Sequence, residues 1–182
     1  MSNVYVAMLR GINVGGNNLV PMKDLAAMFS DTRCEKVQTY IQSGNVIFHA
    51  PAKLGAQVPE AITALLQKRL GLKIPIVVRT LAQMNAVTVN NPFLTAGAPE
   101  SELHVCFLAD TPTQQSIELL DPHRSPPGQF QVRGQEVYLR LPKGVGTTKL
   151  TNEYFGSKLG TVSTQRNWRT VTKLLALMLG AT

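Results

Sequence analysis

The sequence predicts an α+β protein in two halves, each built on an antiparallel sheet, and three observations predict it. Over residues 1–80, short apolar runs alternate with longer runs at helical spacing, in the order βαββαβ. After residue 100 the strand, helix, strand, strand order begins again. Between the two stretches, Asn90-Asn91-Pro92 and Gly97-Ala98-Pro99 are turn formers that mark a boundary. The predicted halves are therefore 1–80 and 81–182, a length of 182 residues that suits one domain or two small subdomains.

Val4 to Leu9 reads as a buried strand, because both alternating faces (Val4, Val6, Met8 and Tyr5, Ala7, Leu9) are largely apolar. A loop of three glycines and three asparagines follows, and then Pro21 suits the first turn of a helix. Met22, Leu25, Ala26 and Phe29 form its apolar stripe, to about Ser30. In that register Val20 is the N-cap, and valine has no side-chain oxygen to accept from the first turn. The orphan N–H groups must then be met by loop backbone, water or a ligand.

Lys36 to Ile41 and Asn45 to His49 are strands joined by the turn Gln42-Ser43-Gly44-Asn45. A helix from about Gln57 to Leu70 carries Val58, Ile62, Leu65, Leu66 and Leu70 on one face, and Lys73 to Arg79 is a β-branched strand. The resulting βαββαβ order is ferredoxin-like. A helical crossover makes the first two strands parallel, so the glycine loop and the turn at 42–45 should converge at one end of the sheet.

Thr80-Leu81-Ala82-Gln83 has capping-box spacing and opens a short helix with Leu81, Met84 and Val87. Leu103 to Leu108 is again a buried strand, and Thr111-Pro112-Thr113-Gln114 reads as a second capping box before a helix through Ile117 and Leu120. Phe130 to Val132 and Val137 to Leu141 form a hairpin turning near Arg133-Gly134-Gln135. From there the chain reads as helical: one helix from about Leu150 to Leu159, and a final one capped by Asn167. Trp168, Val171, Leu175 and Met178 are the stripe of that last helix, with Arg169, Thr170 and Lys173 facing outward or sideways. No residue-level repeat links the halves.

The composition, 44% hydrophobic and 16% charged, is that of a globular protein without low-complexity tracts. No apolar run approaches the roughly 18 residues needed to span a bilayer, so no membrane partner is expected. The start Met1-Ser2-Asn3 has no basic n-region, and a cytoplasmic location is expected. Cys34 and Cys106 lie far apart and read as free thiols in a reducing compartment. The net charge of +7 is unevenly spread: +5 over residues 1–91, −3 over 92–142 and +5 over 143–182. Basic ends favour an anionic partner, whether a nucleic acid, a nucleotide or a phosphorylated metabolite.

Several stretches resemble one bacterial family closely: Arg10-Gly11-Ile12-Asn13-Val14-Gly15-Gly16, Val20-Pro21-Met22 and Tyr40-Ile41-Gln42-Ser43-Gly44-Asn45-Val46. Asn91-Pro92-Phe93, Leu103-His104-Val105, Lys149-Leu150 and Arg166-Asn167-Trp168-Arg169-Thr170-Val171-Thr172-Lys173-Leu174 extend the likeness over nearly the whole chain. The family is the "domain of unknown function" numbered 1697. The resemblance implies two ferredoxin-like α+β halves in cytoplasmic bacterial proteins, and it implies no activity.

No complete catalytic or metal motif occurs, so no cofactor or metal is expected. The spacing of Gly11, Gly15 and Gly16 departs from the dinucleotide fingerprint, and Glu35 opens the next strand instead of ending it. The glycines fit a phosphate cradle and fit equally a loop that needs positive φ. Gly144-Val145-Gly146-Thr147-Thr148-Lys149 lacks the Gly-Lys-[Ser/Thr] end of a P-loop and reads as the approach to a helix, with Lys149 lending charge nearby. His49, His104 and His123 have no ligand spacing, and His104 beside Val105 and Cys106 reads as a core histidine. Among the acids only Asp24 is close to the glycine loop, which disfavours paired-carboxylate chemistry. The third strand, Asn45 to His49, lacks the basic-Gly-aromatic pattern of an RNA-reading sheet.

The candidate ligand-binding residues are Arg10, Asn13, Gly15, Gly16, Asn17, Gln42, Ser43 and Asn45 around the glycine loop, with Lys149, Arg166 and Asn167 from the basic C-terminal block. Three function classes fit them. The first, which the charge and the loop favour, is a binding protein for a phosphate-bearing ligand or a nucleic-acid backbone. The second is an enzyme on a small anionic substrate with Arg10, Asn13, Asn45 and Arg166 as positioning groups, which lacks an obvious general base. The third is an interaction protein whose signature residues are packing devices.

Overall fold

The computed structural model describes residues 2–181. The chain divides into two compact units, one running to Asn85 and regained from Leu174 on, the other Ala86–Lys173. In the first, β1 (Asn3–Leu9), α1 (Met22–Asp31), β2 (Glu35–Tyr40), β3 (Asn45–Ala50), α2 (Ala52–Leu70) and β4 (Ile76–Thr80) lead into α3 (Leu81–Val89). Its four strands pair antiparallel in the order β2-β3-β1-β4, the ferredoxin-like arrangement. The strand with two apolar faces, β1, is central, and Val4 to Leu9 are all buried. Its Tyr5, Ala7 and Leu9 join Leu25 and Phe29 of α1, Phe48 of β3 and Val58, Ile62 and Leu66 of α2 in one apolar core. The Tyr5 and Phe48 rings stack at 5.3 Å.

The helix α2 begins at Ala52, five residues before the apolar spacing predicts. Gly55 and Pro59 lie in that first part, and both weaken a helix signal. Gly55 is there for space. A Cβ on it would come within 2.5 Å of the Tyr5 ring. The first-turn caps behave as the spacing predicts at α3, where Gln83 N–H donates to Thr80 Oγ1 (3.2 Å) and Thr80 N–H to Gln83 Oε1 (2.8 Å).

The second unit holds α4 (Pro92–Thr95), β5 (Leu103–Leu108), α5 (Gln114–Glu118), β6 (Gln129–Arg133), β7 (Glu136–Arg140), α6 (Asn152–Leu159) and β8 (Ser163–Asn167), from which α7 (Trp168–Leu179) continues. The sheet order β6-β7-β5-β8 is the first unit's order over again, all antiparallel. The second half is thus a full βαββαβ, where the sequence reads only βαββ and then helices. The missed strand is β8, whose Ser163-Thr164-Gln165-Arg166-Asn167 contains no apolar side chain. Apolar alternation is the strand signal, and here polar residues occupy the buried positions: Ser163, Thr164 and Arg166 are all buried. Arg166 accordingly stands on a strand and not at a helix start.

Smaller corrections have local causes. Thr113, not Thr111, caps α5, by accepting from Ser116 N–H at 3.2 Å. In α7 Leu174 is fully buried while Leu175 is half-buried, and Thr170 is buried instead of facing outward. The buried stripe steps Trp168, Val171, Leu174, Met178. No helix among the described residues is long and apolar enough to cross a membrane.

Candidate functional site

Eight of the eleven candidate residues lie in the first unit and three in the second. In the first, the glycine loop and the turn at 42–45 meet. Leu9 N–H donates to Gly44 O at 2.8 Å, and Asn13 Nδ2 donates to Gln42 O at 2.8 Å. The loop itself is a miniature hairpin. Asn17 N–H bonds Val14 O at 3.0 Å across Gly15 and Gly16, whose φ values of 57° and 77° are those of a two-residue primed turn. No atom lies within 4 Å of a Cβ built on either glycine, so backbone conformation and not crowding selects them.

The asparagines of the loop hold it together. Asn13 Oδ1 accepts from Val20 N–H at 2.8 Å while its Nδ2 also donates to Val20 O at 3.0 Å, and Asn18 Nδ2 donates to Gly11 O at 3.0 Å. Fully buried Asn45 donates to Tyr40 O and to Ser43 Oγ, tying the turn. The Arg10 backbone N–H is bonded to Pro75 O at 3.0 Å, and its side chain is half-buried with no hydrogen-bond or ion-pair partner among the described residues.

The second unit contains an open cavity of about 340 Å³, lined by His104, Val145, Thr148, Leu150, Thr151, Asn152, Gln165, Arg166 and Asn167. Strand pairing explains the convergence. His104 of β5 faces Asn167 of β8, and Cys106 faces Gln165, so these four share the sheet face on which α6 packs. Above them the connection from β7 brings Val145, Thr148 and Leu150, and α6 starts with Thr151 and Asn152. Lys149 stands in that connection, exposed, its backbone fixed by Ser125 Oγ and the Arg124 side chain.

Four polar side chains of this cavity, Thr151, Asn152, Gln165 and Asn167, have hydrogens left to give. Asn152 Oδ1 is occupied by the Cys106 thiol at 3.8 Å, and Asn167 Oδ1 caps α7 by accepting from Thr170 N–H at 2.8 Å. What each amide has left is its NH₂. Gln165 Nε2 is buried with no hydrogen-bond partner among the described residues. Thr151 Oγ1 already accepts from Tyr154 N–H, which leaves its hydroxyl hydrogen to give. Among the described residues no carboxylate lines the cavity. Arg166 touches it from the edge strand, but its Nη1 bonds Thr164 Oγ1 (2.9 Å) and Gln165 O (2.8 Å), and Thr164 and Arg166 side chains occupy the other sheet face. Burial pushes the Arg166 guanidinium down to about 10.

A family model described as a protein of unknown function, DUF1697, matches residues 2–138. The chain belongs to the DUF1697 family. No curated protein matches it. Among solved structures, the conserved bacterial protein SP0830 from Streptococcus pneumoniae is similar, at 20% sequence identity and a TM-score of 0.74 over 98% of this chain and 99% of that one. That likeness shows the fold.

His104, Arg166 and Asn167 line the cavity, and Lys149 stands between two of its lining residues, Thr148 and Leu150. Gln165, Asn152, Thr148 and Thr151 were not legible as site residues, because none belongs to a recognisable motif. The available signal was the polarity of 163–167, which pairs with the apolar strand β5. His104, which reads from sequence as a core residue, is 8% exposed and turns out to edge a cavity. Burial lowers its pKa, partly opposed by the backbone bond to Glu102. Cys34 and Cys106 are buried free thiols, and burial raises Cys34 despite its contact with Thr32. Among the described residues no group of three or more His, Cys, Asp or Glu is placed to hold a metal.

Proposed function

We propose that this protein binds a small phosphate-bearing molecule in the cavity of its second unit. The observation that supports the reading is the one-sidedness of the lining. Asn152 and Asn167 spend their oxygens inside the fold, and among the described residues Gln165 Nε2 has no partner and no acid lines the cavity. A buried donor without an acceptor, as Gln165 Nε2 is, costs roughly 1–3 kcal/mol, and an oxyanion satisfies it. The start of α6, the Lys149 charge and the Arg166 charge on the far face of the edge strand add positive potential.

Size favours a metabolite over a polymer. About 340 Å³ is at the lower end of small-molecule pockets. A nucleic-acid backbone is the second form of the same chemistry, and salt dependence separates the two. Calorimetric titration with a sugar phosphate and with its unphosphorylated sugar is the test. Binding should require the phosphate and weaken at least about tenfold in Gln165→Leu and in Asn152→Ala. Equal binding of the neutral sugar would end the proposal. Single-stranded RNA binding whose affinity falls with salt by a log–log slope of about −0.7 per contact would move it to nucleic acid. A cytoplasmic binding protein in a bacterium is the setting that goes with this reading.

A further inference from the structure

One group in the cavity breaks the pattern of donors. His104 Nδ1 lies 3.4 Å from Glu102 O, and a carbonyl oxygen only accepts. The ring hydrogen is therefore on Nδ1, and Nε2 of the neutral ring carries a lone pair. His104 is 92% buried by its 8% exposure, it lines the cavity, and no described residue donates to Nε2. A ligand meeting this wall must bring a hydrogen of its own.

Resting on the reading of the cavity as an anion site, we infer that it selects an oxyanion that still carries a proton. A P–OH group places its hydrogen on His104 Nε2 while the remaining oxygens accept from Asn152, Asn167 and Gln165. The ligand class is thus a phosphate monoester in its monoanionic form, or hydrogen phosphate itself. A fully deprotonated oxyanion such as sulfate would set an oxygen lone pair against a nitrogen lone pair. One acceptor among donors thereby discriminates between anions of nearly equal size.

The elements packed around His104 carry few other charges. Glu102, just before β5, is ion-paired to Arg140 of β7 at 2.7 Å, and the strand partners of His104 itself are Leu139 and Asn167. Lys149 stands in the connection before α6, Glu153 in the first turn of α6, and Arg166 on β8.

The test is calorimetric titration of the full chain at pH 7.5 with inorganic phosphate and with sulfate, at equal ionic strength. Phosphate should bind at least about tenfold more tightly than sulfate, and His104→Leu should bring the two to parity. A second measurement needs no variant. As pH falls through the range where His104 takes up a proton, Nε2 becomes a donor, and sulfate affinity in the native protein should rise towards that of phosphate. Sulfate binding as tightly as phosphate at pH 7.5 overturns the selectivity and leaves the anion site standing. Binding of neither anion overturns both.

Discussion

The two units share one sheet order and differ at one corner, and the difference shows how a duplicated fold gains a cavity. Arg79 of β4 pairs with Val6, and Arg166 of β8 pairs with Val105. Each arginine is buried, and each returns Nη1 to the carbonyl of the residue before it, Val78 O at 3.0 Å and Gln165 O at 2.8 Å. The next residue, Thr80 or Asn167, caps the following helix. By this register Tyr5 in the first unit corresponds to His104 in the second. In the first unit α2 starts two residues after β3 ends, and the Tyr5 ring fills the space against Gly55. In the second, the connection 141–151 separates β7 from α6, and beside the smaller imidazole the space stays open.

The largest effect is expected at the closed corner. Gly55→Ala puts a methyl carbon 2.5 Å from Tyr5 Cζ, in a buried ring stacked on Phe48. Overpacking of this kind costs about 1–3 kcal/mol, more than the roughly 1 kcal/mol gained by replacing a helical glycine. A fall in melting temperature of about 2–4 °C per kcal/mol follows for a chain of this size. Tyr5→Leu opens the corner, so Gly55→Ala added to it should cost little or stabilise. Additive losses in the double variant would show that the Tyr5 ring is not what closes the first unit.

Much of this architecture was legible in the sequence, and what was not has a physical reason. The βαββαβ order of the first half follows from apolar periodicity, and the caps at Thr80 and Asn167 follow from their oxygens. The glycine loop and the turn at 42–45 were placed together by topology alone, and Asn13 joins them. The polar strand β8 was invisible because its buried side chains are hydrogen-bonding ones, and without it the repeat read from sequence stopped at βαββ. Arg79 and Arg166 sit in the same register, but Ile-Val-Val precedes one and Ser-Thr-Gln the other. The cavity lies where the local pattern failed, since unmatched donors inside a fold look like surface residues when read along the chain.

The next effect is read in binding. His104→Tyr transplants the residue of the closed corner into the open one, and the adjoining cavity of about 340 Å³ has room for the larger ring. The fold should be kept, and phosphate-dependent binding should fall at least about tenfold by calorimetry. Unchanged binding would mean that His104 does not border the occupied part of the cavity, and the correspondence between Tyr5 and His104 would lose its functional sense.

The smallest effect is a pH dependence that belongs to the open corner alone. The pKa of His104 is lowered from its ordinary value near 6.5, first by burial and against the opposing pull of its bond to Glu102 O. The unfolded chain then takes up a proton on this ring at a pH where the folded chain does not. Stability contributed by the neutral ring is present above about pH 6.5 and is lost as pH falls through the folded value. Because the cavity beside the ring is open to water, the loss should stay below about 1 kcal/mol over the first pH unit. Chemical denaturation between pH 7.5 and 5.5 measures it, in the native protein and in His104→Gln. The native curve should slope downward on the acid side more steeply than that of the variant. A bound phosphate that donates its hydrogen to Nε2 favours the neutral ring further and lowers the folded value, so saturating ligand should leave the onset near about pH 6.5 and extend the slope to lower pH. A slope that flattens or reverses with ligand would mean that the bound anion draws a proton onto His104, with Nε2 donating, and the arrangement of lone pair and P–OH would have to be reversed.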